Sequence, residues 1–178
     1  MADATSSTLR QLTQQFSQSG TVQAIYLRPA RGAHCIVTQQ VQAIAQQGLA
    51  GDRSSSTPSR NPLGSNRQIT LIQAEHIAVI SALVGKPVDV AKLRRNLVVS
   101  GINLLATKNL FKDQPMQINI GEVILQVTGA CEPCSKMEAV LGRGGYNAMR
   151  GHGGITAKII RGGAISVGDA VNCAMVNV

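Results

Sequence analysis

The sequence predicts a mainly β chain with a few short helices, closed into a β-barrel, and three observations lead there. Short apolar stretches with alternating character recur along most of the chain. Helical spacing is confined to a few short segments, with no regular strand–helix–strand alternation, which disfavours a doubly wound sheet. Half of the eighteen glycines fall between Gly142 and Gly168. Of these, Gly162, Gly163 and Gly168 read as corners of a tightly coiled barrel.

Residues Thr8 to Gln18 place Leu9, Leu12 and Phe16 at helical spacing, and Gly20 can end the turn, so a short amphipathic helix over 8–18 is expected to cap the domain. Thr21 to Arg28 alternates weakly and stops at Pro29, as a strand does. Val37 to Ile44 is a second strand candidate. Gly48 to Asn66 is rich in turn formers and reads as one long loop, and loops of that length in a domain are functional or mobile. Its Ser54–Asn66 part has little apolar surface to bury, so a lid beside a pocket is the expectation there. Gln68–Ile72 reads as a strand, Ala74–Leu83 as a helix closed by Gly85 and Pro87, and Leu97–Ser100 as a further strand. Met116 to Val127 alternates on both sides of Gly121, which predicts a β-hairpin. Ile155–Ile160 and Ala170–Val176 are the last strands, joined by the segment Arg161–Asp169. No repeat or linker is visible, so residues 1–178 are expected to form one domain with a core over about 21–177.

The chain has a net charge of +8, two Tyr, two Phe and no Trp. A basic surface attracts anions, but stacking platforms for single-stranded nucleic acid are missing, so a nucleic-acid partner is disfavoured against a small phosphorylated molecule. No segment approaches the roughly 18 apolar residues of a membrane span. Met1 to Ser7 lacks a basic region followed by an apolar stretch, and the four cysteines then read as reduced thiols, which makes the cytoplasm the expected compartment.

Chemistry concentrates at Cys131 and Cys134, in Thr128-Gly-Ala-Cys-Glu-Pro-Cys134, between the strand pattern Val123–Val127 and a short helix over Met137–Leu141. A Cys at a strand-to-helix turn is favoured as thiolate by the helix dipole, and Lys136 adds a cation nearby. Four-ligand zinc binding is disfavoured, because only one such pair exists and Cys35, Cys173, His34, His76 and His152 are scattered. A dithiol redox pair and two small core hydrophobes both remain open readings.

Arginines recur at strand mouths: Arg53 after Asp52, Arg67, and Arg94-Arg95-Asn96. A guanidinium there can fork around phosphate oxygens, and Asn96 offers an amide donor and acceptor, although a lone surface Arg is more often just solvated. Neither a dinucleotide-binding glycine fingerprint nor a P-loop is present.

The order of these motifs is more specific than any one of them. Gly48-Leu-Ala-Gly-Asp-Arg53, Arg67-Gln-Ile-Thr-Leu-Ile72, Leu93-Arg-Arg-Asn-Leu-Val-Val-Ser-Gly101, Gly121-Glu-Val, the Cys131–Cys134 stretch and Gly163-Ala-Ile-Ser-Val-Gly-Asp-Ala-Val171 together resemble the MOSC domain, named after the molybdenum cofactor sulfurase C-terminus. The similarity runs from about Val22 to Val176. It implies a MOSC-type β-barrel that binds the molybdenum cofactor, a pyranopterin whose dithiolene holds the metal. Cys134, the second Cys of the pair, would be the protein's metal ligand and the catalytic residue. Arg94 and Asn96 would contact the pterin or its phosphate, with Arg53 and Arg67 near the same pocket.

Two positions depart from the family pattern: Ser54 stands where members often carry His, and Ala130 where Pro commonly precedes the first Cys. No aminotransferase-like stretch precedes the match, so pyridoxal phosphate is not expected. The activity implied is reduction of N-hydroxylated small molecules, the metal cycling by two electrons. With no iron–sulfur cysteine set and no flavin fingerprint in the chain, an external electron-donor protein is expected. The alternative is a sulfur carrier or cofactor-handling protein that uses Cys134 as a persulfide or metal ligand.

Overall fold

A computed structural model describes residues 7–56 and 64–176 of the chain. Thr8 caps a single helical turn, α1 (Leu9–Leu12), through a reciprocal bond with Gln11, and β1 (Gly20–Leu27) follows. Next come β2 (Ile36–Thr38), β3 (Gln40–Ile44), β4 (Gly48–Leu49) and the one-turn α2 (Arg53–Ser56). A β5–α3–β6 unit (Ile69–Gln73, Ala74–Val84, Leu97–Ser100) leads to the hairpin β7 (Met116–Ile120) and β8 (Val123–Ala130). Two short helices, α4 (Lys136–Leu141) and α5 (Gly145–Met149), precede β9 (Ile155–Arg161), β10 (Gly163–Ser166) and β11 (Ala170–Met175).

The order β11-β7-β8-β9-β5-β6-β1 closes on itself, because one edge of β1 pairs with β11 at Gly20 and Thr21. Further along that edge, at Ile25–Leu27, β1 carries β2. Closure leaves seven strands in the barrel without a free edge. Every barrel pairing is antiparallel except β5–β6, which is parallel and therefore needs the α3 crossover. A small sheet, β10-β3-β4, packs Val41, Ala43, Leu49 and Ile165 into the core of the barrel.

Strand periodicity sorts the side chains. Ile69 and Leu71 of β5, Leu97 and Val99 of β6, and Ile25 of β1 point into the barrel. Ile72 and Val98 point outward, where Ile80 of α3, Met137 and Leu141 of α4, and Met149 of α5 cover them. The barrel is thus filled with aliphatics, and any ligand must be held at its rim or outer face.

Four expectations are corrected. The helix expected over 8–18 is one turn, with Leu9 and Leu12 exposed and only Phe16 packed on the core. Without an apolar surface to lie on, so short a helix has little to sustain it. The single strand expected over Val37–Ile44 is two strands in different sheets, broken where the Thr38 hydroxyl bonds the Gln40 carbonyl at 2.9 Å. The connection Arg161–Asp169 holds β10, whose one fully buried side chain, Ile165, is too short a pattern to reveal a strand. Gly48–Asn66 likewise contains β4 and α2, and most of the lid expected over Ser54–Asn66 lies outside the described residues. The Gly121 hairpin is as expected, with φ 56° at that glycine.

Candidate active site

β8 ends at Ala130, and the next residues alternate: Cys131 and Pro133 are buried while Glu132 and Cys134 are exposed. One short turn therefore sends the two thiols in opposite directions. The Cys131 amide donates to the Gly154 carbonyl at 2.8 Å, extending the β8–β9 ladder. Its sulfur accepts a hydrogen bond from Arg67 Nη2 at 3.1 Å. Burial pushes the Cys131 thiol up, and Arg95 and Arg67 oppose that shift. Cys134 instead opens into a cavity of about 350 Å³.

Behind the pair sits Arg95, only 4% exposed. Its guanidinium donates to the carbonyls of Gly153 at 2.6 Å, Leu93 at 2.8 Å and Cys131 at 2.9 Å. It ties the cysteine turn, the 150–154 loop and the approach to β6 into one unit. Burial holds the Arg95 guanidinium below its ordinary pKa, and Cys131 acts the other way. Gly153 and Gly154 complete the packing. A side chain on Gly154 would drive into the Leu71 carbonyl, and its φ of +82° suits glycine. Gly154→Ala should therefore cost about 3 kcal/mol in urea unfolding at an unchanged m-value, since overpacking and left-handed strain add. A midpoint equal to that of the unsubstituted protein would show that the loop yields without penalty.

The cavity wall is built at the mouths of β1, β5 and β6. Asp52, 1% exposed, accepts from Ser54 N and Oγ at 2.9 and 2.7 Å, from Arg28 N at 2.9 Å and from Asn96 Nδ2 at 3.1 Å. Asn96 spends the rest of its amide on Thr70 N and Oγ1, at 3.1 and 2.9 Å, and on the Tyr26 carbonyl at 3.2 Å. Asn96 lines the cavity, but its amide stitches β1, β5 and the Asp52 turn together, and Ser54 is likewise committed to Asp52.

Among the described residues, five arginines line the same cavity, Arg28, Arg53, Arg67, Arg94 and Arg95, against the acids Asp52 and Glu132. Arg53 starts α2, and its amide donates to the Arg28 carbonyl at 2.8 Å. Arg94 has φ 61°, a left-handed backbone that costs a non-glycine residue about 1–2 kcal/mol, and such strain concentrates at functional sites. Burial, and next the neighbouring Arg94, keep the Arg28 guanidinium below its ordinary pKa. Two buried donors on the wall, Arg28 Nε and Gln68 Nε2, have no hydrogen-bond partner among the described residues. A buried donor left unmade costs about 1–3 kcal/mol, so each of the two is open to an acceptor from water or from a ligand.

The sequence-derived candidates Cys134, Arg53, Arg67, Arg94 and Asn96 thus all line one cavity. Sequence reasoning missed Arg28, although its place at the end of β1 before Pro29 repeats the strand-mouth arginine pattern, and it missed the brace role of Arg95. His152 lies elsewhere, edge-on to His76 with ring centroids 5.0 Å apart. Cys35 donates to the Ala91 carbonyl at 3.2 Å, and burial pushes the Cys173 thiol up to about 11. A larger cavity of about 540 Å³ lies between the N-terminal segment and residues 101–116. Among the described residues, its lining, with Phe16, Leu105 and Phe111, offers Lys108 as its one charged side chain and no thiol.

No group of three or more His, Cys, Asp or Glu poised to hold a metal exists among the described residues. A metal at Cys134 would have to bring its other ligands with it, as a chelated cofactor does. The residues present fit such a group: one exposed thiol, a basic wall and two donors without acceptors. No described helix is long and apolar enough to cross a membrane.

Comparison with known proteins agrees with this architecture. None of the curated proteins matches the chain. Among solved structures, the YuaD protein of Bacillus subtilis superposes with a TM-score of 0.73 at 19% identity, over 90% of this chain and 98% of that one. YiiM of Escherichia coli gives a TM-score of 0.62 at 19% identity, over 90% of this chain and 71% of that one. YiiM of Geobacillus stearothermophilus gives 0.65 at 16% identity, covering 89% and 75%. At these identities the likeness concerns the fold. The family model of the MOSC domain matches residues 58–172, which is more than half of the sequence, and the chain belongs to the MOSC domain family.

Proposed function

We propose that this MOSC domain binds the molybdenum cofactor through Cys134 and reduces N–O bonds of N-hydroxylated small molecules, with electrons from an external donor protein. The observation that carries this reading is the exposed Cys134 thiol in a basic cavity whose Arg28 Nε and Gln68 Nε2 lack acceptors. When bound, the cofactor supplies two-electron redox chemistry at a metal that takes a soft sulfur ligand.

The chain's own part is binding and orientation. Arg53, Arg67 and Arg94 supply cationic donors for a phosphate or pterin oxygen. Arg95 holds the Cys131 carbonyl, and through that turn the direction of Cys134. Asn96 and Asp52 keep the mouths of β1, β5 and β6 in register, so they support the wall. The chain's four cysteines are free and do not form an iron–sulfur set, which favours an outside electron source. Pyridoxal phosphate has no part in this reading.

The direct test is metal analysis by mass spectrometry on protein from a molybdate-fed host, paired with fluorescence of the released pterin. Near-stoichiometric molybdenum and turnover of a hydroxylamine or amidoxime with a chemical reductant are expected. Loaded protein that reduces neither would sink the assignment of the reaction. Arg94→Ala should lower pterin retention by the roughly 1.5–3 kcal/mol of one charge-assisted hydrogen bond, at unchanged thermal stability. Unaltered pterin content would remove Arg94 from the binding surface.

A second reading, sulfur carriage, is favoured by the opposed burial of the two thiols, since only Cys134 is accessible to a sulfur donor. Intact-mass detection of a persulfide on Cys134, in protein that holds no molybdenum, would replace the first reading with this one.

A further inference from the structure

A second cavity of about 280 Å³ adjoins the cysteine cavity and shares Arg28 and Arg94 with it as a common wall. The rest of its lining differs: Gly32, Cys35, Asp89, Lys92 and Lys136 belong to it alone, whereas Ser54, Arg67 and Cys134 belong only to the first.

Among the described residues, four cations, Arg28, Lys92, Arg94 and Lys136, line this second space with His34, and Asp89 is its one acid. That carboxylate is already engaged, with Oδ1 accepting from Ala91 N at 3.1 Å and Oδ2 lying 3.7 Å from Lys92. The thiol that faces the cavity, Cys35, donates to the Ala91 carbonyl, and burial raises its pKa, so the space is not a thiolate site. Gly32, at φ +84°, has nothing within 4 Å of where a Cβ would stand, so a ligand atom could approach the backbone there. Four cations around one cavity, against an acid that is already engaged, attract an anion.

We propose that this adjoining cavity is a second, separate oxyanion site that takes a phosphate group. The site stands on its own geometry. That the phosphate belongs to a molecule also reaching the cysteine cavity would rest on the cofactor reading above, and the test does not need it.

The test counts phosphate sites by equilibrium dialysis with radiolabelled inorganic phosphate, on the full chain shown to be free of pterin. Two sites per chain are expected. Lys92→Gln combined with Lys136→Gln should leave one, and Arg67→Ala should remove the other while keeping the lysine-dependent site. Both lysines are exposed, so the double variant should fold normally, as circular dichroism will check. Phenyl phosphate serves as the second probe. Its binding at the lysine-dependent site would show that phosphate esters enter, and its exclusion would assign the site to free phosphate. A phosphate count that the double lysine variant leaves unchanged would overturn the proposal. Failure of the cofactor reading would instead appear as absent molybdenum and pterin, with the phosphate count unchanged.

Discussion

Replacing Cys134 by Ser should abolish the molybdenum binding proposed for this domain and leave the fold intact. A hydroxyl is a harder and far less readily ionised ligand than a thiol, so it is a poor partner for a soft metal centre. Cys134 is exposed and adds nothing to either apolar cluster, so the exchange should move stability by no more than about 0.5 kcal/mol. Cys131→Ser should show the converse pattern. That side chain is 1% exposed and receives a bond from Arg67, so a smaller, more polar group there should cost about 1–2 kcal/mol while molybdenum is retained. Metal content by mass spectrometry and urea midpoints separate the two effects. Equal loss of metal in both variants would point to a dithiol mechanism in which the pair acts together.

Arg95→Met should destabilise the whole domain by about 3–5 kcal/mol, because it removes three charge-assisted hydrogen bonds and leaves their carbonyls without the donor. Those carbonyls sit in three separate segments, at Leu93, Cys131 and Gly153, so the damage should spread to the cysteine turn. Thiol labelling followed by mass spectrometry should find Cys131, which is shielded in the native protein, reacting much faster in the variant. Arg95→Lys keeps the charge but loses the planar fork, and should recover less than half of the lost stability. A variant with native stability and a still-protected Cys131 would refute the bracing role.

Much of this protein was legible because short-range rules suffice for it. Alternating side chains mark β1, β7 and β8, short apolar runs mark β5 and β6, and Gly85 and Gly121 punctuate a helix and a hairpin through their positive φ. The sequence also marked Cys134, Arg53, Arg67, Arg94 and Asn96, which line one cavity, since thiols and arginines at strand mouths are recognisable by type. What it could not separate was role. Asn96 and Arg94 are two positions apart in one motif, yet the amide of Asn96 is consumed by Thr70, Tyr26 and Asp52 while Arg94 borders both cavities.

Local patterning determined the strands, the main turns and the chemical character of the site, because each depends on neighbours a few residues away. Tertiary structure decided the rest: which edge closed the barrel, where β3 left for another sheet, and which of two adjacent thiols met a cavity. It also decided that Arg28, from the far end of β1, would join Arg94 in a shared wall. Such placements depend on contacts between residues distant in sequence, such as Arg67 with Cys131 and Arg95 with Gly153. The free energy of those contacts exists only once the strands have packed, so no window of the sequence carries it.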